Sequence, residues 1–195
     1  MEIKVFTGGV LKSNGYIIYK KGKETCYIID PGYKANKFIE FVQKNDLCCK
    51  GILLTHHHYD HMGAADKTAR EMDCPVFIHR QDMDKYKNEA ITIEGGEIFF
   101  IDEEEIRVLH TPGHTHGGVC YYSEKSKAVF TGDTIFNVDL GRTDLSDGSE
   151  EEMQHSIRNI ISLWGNDITI YPGHGDSCTM KYVRKNNKEF KETLK

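Results

Sequence analysis

The chain has 195 residues, which suits a single domain, since domains commonly run to about 100–200 residues. Its formal net charge is −5, and no stretch alternates Lys or Arg with aromatic residues, so a nucleic-acid partner is not expected. Residues 1–15 lack the basic start and apolar run of a secretion signal. No apolar stretch approaches the roughly 20 residues that cross a bilayer. We therefore expect a cytoplasmic protein without a membrane partner.

Nine short runs rich in Ile, Val, Phe and Tyr have the length and composition of β-strands. They cover residues 3–6, 16–19, 26–29, 51–54, 76–78, 106–109, 119–122, 128–130 and 168–171. Four stretches have helical spacing, at residues 34–44, 63–72, 150–163 and 180–190, and residues 147–149 (Asp-Gly-Ser) offer N-cap candidates for the third. This alternation predicts an α/β fold with helices covering sheet, in one domain over residues 1–195.

Six cysteines are spread along the chain, and none of them forms a CxxC pair. Without an export signal, disulfides are not expected, and free thiols are the preferred interpretation. The six are Cys26, Cys48, Cys49, Cys74, Cys120 and Cys178.

The main chemical feature is the segment Thr-His-His-His-Tyr-Asp-His at residues 55–61, directly after the apolar strand 51–54. In an extended segment, side chains two residues apart point the same way, so His56 and His58 can converge on one ion. Asp60 and His61 lie at the turn into a helix, where they can face a second point. The alternative is a histidine-rich loop with incidental metal affinity.

Three further segments place a potential metal ligand beside Gly or Pro, just after an apolar run. They are residues 111–114 (Thr-Pro-Gly-His), 131–133 (Thr-Gly-Asp) and 171–175 (Tyr-Pro-Gly-His-Gly). Gly and Pro allow the special backbone angles with which a loop at a strand end can hold a side chain over the edge of a sheet. We therefore expect His114, Asp133 and His174 to share one rim with the histidine-rich segment.

With these motifs in this order, the chain resembles the metallo-β-lactamase superfamily, and within it the glyoxalase II-like (hydroxyacylglutathione hydrolase-like) branch of thioester hydrolases. The resemblance runs from Asp30-Pro31-Gly32 through H-x-H-x-D-H to the Pro-Gly-His-Gly near residue 174. It implies a four-layer αββα sandwich. It also implies a first metal on His56, His58 and His114, a second on Asp60, His61 and His174, and Asp133 as the bridge between them.

The resemblance further implies a hydrolase in which two divalent metal ions generate a bridging hydroxide, with Asp60 and Asp133 as catalytic residues that orient it. The expected substrate is a small-molecule thioester or ester. Imidazole and carboxylate ligands accommodate zinc, iron or manganese, and zinc is our first choice.

Other residues receive narrower predictions. Arg142, in a Gly-Arg-Thr-Asp loop that resembles the family's, is a candidate for binding a substrate carboxylate, and the alternative is an ion pair with Asp144. Asp30 is a candidate acceptor for the imidazole of a ligand histidine. His57 lies out of phase with His56 and His58, so we expect it at the surface or behind the ligands.

Several departures from the glyoxalase II pattern leave other activities open. The glutathione-binding helical domain that follows the last histidine in those enzymes is not expected here, and Gly175-Asp176-Ser177 stands where they have an aromatic residue. Alternatives are a persulfide dioxygenase-like mono-iron enzyme, a lactonase, and a non-catalytic metal-binding module. β-Lactam hydrolysis is disfavoured, since the main zinc β-lactamases carry Cys at the position of Asp133.

Overall fold

The computed structural model describes residues 1–195 and contains twelve strands and six α-helices. The strands are Glu2–Gly8 (β1), Ser13–Tyr19 (β2), Thr25–Ile29 (β3), Cys48–Leu53 (β4), Val76–His79 (β5), Ile91–Ile93 (β6), Ile98–Ile101 (β7), Glu104–His110 (β8), Val119–Ser123 (β9), Ala128–Gly132 (β10), Thr169–Pro172 (β11) and Cys178–Thr179 (β12). The helices are Ala35–Lys44 (α1), Tyr59–Met62 (α2), Ala65–Met72 (α3), Glu150–Asn159 (α4), Met180–Asn186 (α5) and Lys188–Thr193 (α6).

The strands form two six-stranded mixed sheets. One has the order β1-β2-β3-β4-β5-β6 and the other the order β12-β11-β10-β9-β8-β7. Strands β3 to β6 pair in parallel, as do β10 and β11, and the remaining neighbours are antiparallel. The predicted four-layer αββα sandwich, in a single domain, is confirmed.

The layers follow from the alternation of buried side chains along single strands. On β2, Ile18 packs between the sheets, where Tyr121 and Phe130 of the second sheet also lie. Its neighbour Ile17 points the other way and joins the apolar face of α1. Strands that are buried on both faces therefore have continuous apolar sequences. Burial of each such side chain contributes about 1.5–3 kcal/mol to the free energy of folding.

Helix α1 shows why these helices form. Its buried side chains recur at positions i, i+3, i+4 and i+7, which places them on one face of the helix. They are Ala35, Phe38, Ile39 and Val42. A similar apolar layer covers the outer face of the second sheet, where α4, α5 and α6 contribute Ile157, Val183 and Phe190.

The structure differs from the sequence prediction at the less regular elements. Strands β6, β7 and β12 were not predicted, and the helix predicted over residues 180–190 is interrupted at Asn187. The Asn187 side chain accepts a hydrogen bond from the Phe190 N–H (2.9 Å) and so begins a new helix there. Ser149 is the N-cap of α4, as the Asp-Gly-Ser prediction allowed, with its Oγ accepting from the Glu152 N–H at 3.3 Å.

All six cysteines are free thiols, as predicted. No helix in the structure combines the length and apolar character needed to span a membrane. The ligand-bearing segments follow β4, β8, β10 and β11, so both sheets deliver them to one edge of the sandwich.

Candidate metal centre

Two clusters of side chains lie at this edge of the sandwich. In the first, one ligand atom from each of His56, His58 and His114 lies within 4.8 Å of the others. His58 precedes the short helix α2 as its N-cap, and its Nδ1 lies 2.9 Å from Nε2 of His114. The backbone at His58 is extended, with φ of −66° and ψ of 141°.

The second cluster consists of Asp60, His61 and His174, with ligand atoms again within 4.8 Å of one another. Oδ2 of Asp60 lies 3.2 Å from Nε2 of His174 and 3.5 Å from Nε2 of His61. The two imidazole nitrogens are themselves 3.3 Å apart. Helix α2 supplies Asp60 and His61, and the loop after β11 supplies His174.

Asp133, at the end of β10, lies between the two clusters. Its Oδ1 is 3.3 Å from Nε2 of His61, and its Oδ2 is 3.6 Å from Nε2 of His114 and 3.4 Å from Nε2 of His174. One carboxylate therefore faces both groups. All seven residues that the sequence singled out as metal ligands are brought together.

Several of these atoms are buried without a hydrogen-bond partner. They are Nε2 of His56, Oδ2 of Asp60 and Oδ1 of Asp133. Leaving such groups unpaired costs about 1–3 kcal/mol each, and more for charged groups. Imidazole nitrogens and carboxylate oxygens that converge at 2.9–3.6 Å in this way fit divalent metal ions, whose positive charge satisfies them together.

The outer nitrogens of four of these histidines have their own partners, which fix the ring orientations. They are Thr55 Oγ1 for His56 (2.9 Å), Asp30 Oδ2 for His61 (3.0 Å), the Arg142 carbonyl for His114 (2.8 Å) and the Leu11 carbonyl for His174 (3.0 Å). The contact predicted for Asp30 with a ligand imidazole is therefore present. The carbonyls of Arg142 and Leu11 were not predicted, because main-chain partners leave no signal in residue type.

The surroundings of Gly173 explain why the Pro-Gly-His motif has a glycine. A Cβ at this position would lie 2.1 Å from Oδ1 of Asp133 and 2.5 Å from Cε1 of His61. No side chain fits there without displacing two residues of the site.

Burial and neighbouring charges set the protonation states. Burial, followed by the surrounding imidazoles, lowers the pKa of His56 well below its usual value, so His56 stays in the neutral form that binds metal. Burial opposes ionisation of Asp133, yet His61, His174 and His114 lower its pKa. The carboxylates of Asp133 and Asp60 raise the pKa of His174 to about 10. The centre thus combines ionised carboxylates with imidazoles held close to them.

The remaining histidines lie outside the two clusters. His57 is buried, with Nδ1 3.0 Å from Oδ2 of Asp82 and Nε2 2.6 Å from Oδ2 of Asp147, and neither aspartate was predicted near the site. His116 contacts Glu152 (2.7 Å). His79 and His110 stack with ring centroids 4.1 Å apart, and His155 bonds Asn159 on the surface of α4.

Arg142 forms the ion pair that the sequence offered as the alternative to substrate binding. Its Nε and one terminal nitrogen contact the two carboxylate oxygens of Asp144 at 2.7 and 2.8 Å, and both side chains are exposed. Its main-chain carbonyl meanwhile positions His114.

The family described as "Metallo-beta-lactamase superfamily" matches residues 8–174 of the chain. The chain belongs to the metallo-β-lactamase superfamily. The hydroxyacylglutathione hydrolase GloC of Haemophilus influenzae is 30% identical, over 96% of this chain and 97% of GloC. The resemblance to the superfamily, and to its glyoxalase II-like branch, is confirmed.

Two solved structures are also similar. BLEG-1, named a B3 metallo-beta-lactamase, is 29% identical with a TM-score of 0.86, covering 96% of this chain and 98% of that chain. TTHA1623, solved in a di-iron-bound form, is 28% identical with a TM-score of 0.85, covering 95% of this chain and 98% of that chain. Together with the two clusters, these relatives support a superfamily metal-dependent hydrolase that uses divalent metal.

Proposed function

We propose that the chain is a binuclear metal-dependent hydrolase that cleaves a small-molecule thioester or ester, in the manner of glyoxalase II. The main support for this proposal is the position of Asp133, whose carboxylate lies between the two clusters. Its Oδ1 lies 3.3 Å from Nε2 of His61, and its Oδ2 lies 3.6 Å from Nε2 of His114 and 3.4 Å from Nε2 of His174. A carboxylate so placed can be shared by two ions. A mono-iron site, as in the persulfide dioxygenase alternative, would need only one of the clusters.

In this proposal His56, His58 and His114 would hold one ion, Asp60, His61 and His174 would hold the other, and Asp133 would contribute to both sites. Zinc is the first choice, with iron or manganese as alternatives. Two such ions, when bound, lower the pKa of a shared water toward about 7 and polarise a carbonyl.

The chain's own residues then have distinct tasks. The carboxylates of Asp60 and Asp133 orient the attacking water by accepting its protons in hydrogen bonds. His56, which is 2% exposed, keeps bulk solvent from the back of the site. A thiol leaving group has a pKa near 8.5, so it departs without a strong general acid, and the site needs no further acidic side chain.

The substrate class rests on the similarity to GloC, which covers nearly all of both chains. β-Lactam hydrolysis is the second candidate, because BLEG-1 covers the chain to the same extent and carries that name. Asp stands at position 133, where the main zinc β-lactamases carry Cys, so we rank β-lactam hydrolysis below thioester hydrolysis. A lactonase is a third substrate class for the same centre.

The test compares the purified protein with Asp133→Ala, using S-lactoylglutathione, a simple acetyl thioester, a lactone and a β-lactam, with bound metal quantified. The control is Asp139→Ala, which removes an exposed carboxylate from the same loop. We expect two metal ions and thioester turnover in the parent and in the control. Asp133→Ala should lose activity and most of the second metal. A parent that carries two ions and cleaves none of the thioesters or esters contradicts the proposal.

A further inference from the structure

His57 sits within the histidine-rich segment but belongs to neither cluster. Only 9% of it is exposed, and its ring lies between two carboxylates, 3.0 Å from Oδ2 of Asp82 on one side and 2.6 Å from Oδ2 of Asp147 on the other. A histidine that merely filled space between the ligands would not require two buried or half-buried carboxylates. The three side chains form an array, Asp82–His57–Asp147.

Asp82 anchors one end of this array. It is 1% exposed, its Oδ2 accepts from the main-chain N–H of His57 (3.1 Å) and from Thr115 Oγ1 (2.9 Å), and its Oδ1 accepts from the Gly117 N–H (2.8 Å). Thr115 and Gly117 lie one and three residues after His114 in the chain. Asp82 therefore ties together both loops that supply the first cluster, and its Oδ2 also lies 3.0 Å from Nδ1 of His57.

Asp147 lies at the other end, beside a metal-cluster residue. The same Oδ2 that contacts His57 lies 3.6 Å from Nε2 of His58, while Nδ1 of His58 faces His114. The other four histidines of the two clusters each have a partner within 3.0 Å at the outer nitrogen. For His58 the nearest such group is the Asp147 carboxylate, whose Oδ2 also lies 2.6 Å from Nε2 of His57.

We propose that His57 is a positioning residue: anchored on Asp82, it holds Asp147 beside His58 and so orients the His58 imidazole toward the first metal. The inference rests on the proposed ligation by His58. A carboxylate behind a metal-bound imidazole fixes ring orientation and raises ligand basicity, and the loss of such a partner commonly reduces metal affinity 10–100-fold.

Two conservative variants separate positioning from packing. In His57→Gln, the side-chain amide reaches about as far as Nε2 of histidine and can still donate to Asp147. In His57→Asn, the amide corresponds to Nδ1 and reaches only toward Asp82. We expect Gln to retain most of the first-site metal affinity and Asn to lose it about 10–100-fold, with Asp147→Ala matching Asn.

The measurement is a titration of the metal-free proteins with Zn²⁺ or Co²⁺ against a chromophoric chelator, which yields a dissociation constant for each site. Thermal unfolding of the same metal-free proteins checks that the variants are folded to equal extents. His155→Asn serves as the control, since His155 is exposed on α4 and bonds only Asn159.

Failure of the proposed function and failure of the positioning role of His57 give different results. A parent protein that binds no metal at the first site overturns the proposed function and, with it, the ligand role of His58. A parent with two sites, and His57→Asn and Asp147→Ala variants that keep parental affinity at both, overturns the role of His57 alone. Equal loss in Gln and Asn with an equal fall in thermal stability assigns His57 to packing and also overturns the inference.

Discussion

Oδ2 of Asp30 lies 3.0 Å from Nδ1 of His61, and both residues are almost fully buried. The same carboxylate accepts hydrogen bonds from the main-chain N–H and the hydroxyl of Thr55, the residue that contacts Nδ1 of His56. Asp30 adopts a left-handed backbone conformation, with φ of 48°. One aspartate in the loop after β3 thus supports a histidine in each cluster.

We predict that Asp30→Asn lowers metal affinity, most at the second site, by about 10–100-fold, because the neutral amide has only one acceptor oxygen for three donors. Asn tolerates left-handed backbone, so the change adds little strain. Chelator competition measures the affinity. The matched control is Asp46→Asn, an exposed aspartate with φ of 51°. Parental affinity in Asp30→Asn would show that His61 is oriented without this carboxylate.

The second prediction concerns the close approach of Gly173 to the centre. A Cβ at position 173 would lie 2.1 Å from Oδ1 of Asp133, so Gly173→Ala should displace Asp133 and reduce bound metal below two ions per chain. Gly22→Ala is the control, since its Cβ would meet no atom within 4 Å. Because Gly22 has φ of 75°, alanine there should lower the free energy of unfolding by about 1–2 kcal/mol, and the variant should still bind both metals. The measurement is the number of metal ions bound per chain in the two proteins after dialysis. Two ions in Gly173→Ala would contradict the prediction.

Residue type and position in the sequence were enough to predict most of the residues of the site. Each of the seven cluster residues follows an apolar strand, so the local sequence predicted that they share one edge of the sandwich. Their division between two metal sites came from the family resemblance. The Asp82 and Asp147 contacts to His57 depend on tertiary packing and have no local signal. Asp147 even has a competing local interpretation as an N-cap, a role that Ser149 takes.

The elements that were missed are short or marginal. Strand β6 has three residues, β12 has two, and β7 carries two exposed aromatic or aliphatic side chains at Ile98 and Phe100. Pairing with longer neighbours, rather than their own composition, makes them strands. The helix break at Asn187 likewise depends on side-chain hydrogen bonds to the carbonyls of Phe136 and Asp139, which are distant in sequence.

The third prediction is a pH dependence of stability through His79. Burial, followed by the stacked His110, lowers the pKa of His79 in the folded state, whereas in the unfolded chain it is about 6.5. The unfolded state therefore binds more protons, and this contribution to stability is present above pH 6.5 and is lost as the pH falls below it.

Urea unfolding of the metal-free protein at pH 7.5 and 5.5 measures this effect as a fall in the free energy of unfolding. In His79→Gln the fall should be smaller, because the titrating ring is gone. His155→Gln, at an exposed position, should behave like the parent. An unchanged pH dependence in His79→Gln would assign the acid sensitivity to other groups.

The last prediction tests Arg142 as a substrate contact. Arg142 now pairs with Asp144 and lowers the pKa of that exposed carboxyl to about 2, so the pair stays ionised throughout the neutral range. If a substrate carboxylate displaces Asp144, Arg142→Ala should raise KM for an anionic thioester about tenfold, since a hydrogen bond to a charged group contributes about 1.5 kcal/mol. KM for a neutral thioester should not change, and metal content should be retained, because the carbonyl that positions His114 belongs to the main chain. Asp144→Ala frees the guanidinium and should lower KM for the anionic substrate. If Arg142→Ala changes KM equally for the anionic and the neutral thioester, Arg142 has only its structural role in the ion pair.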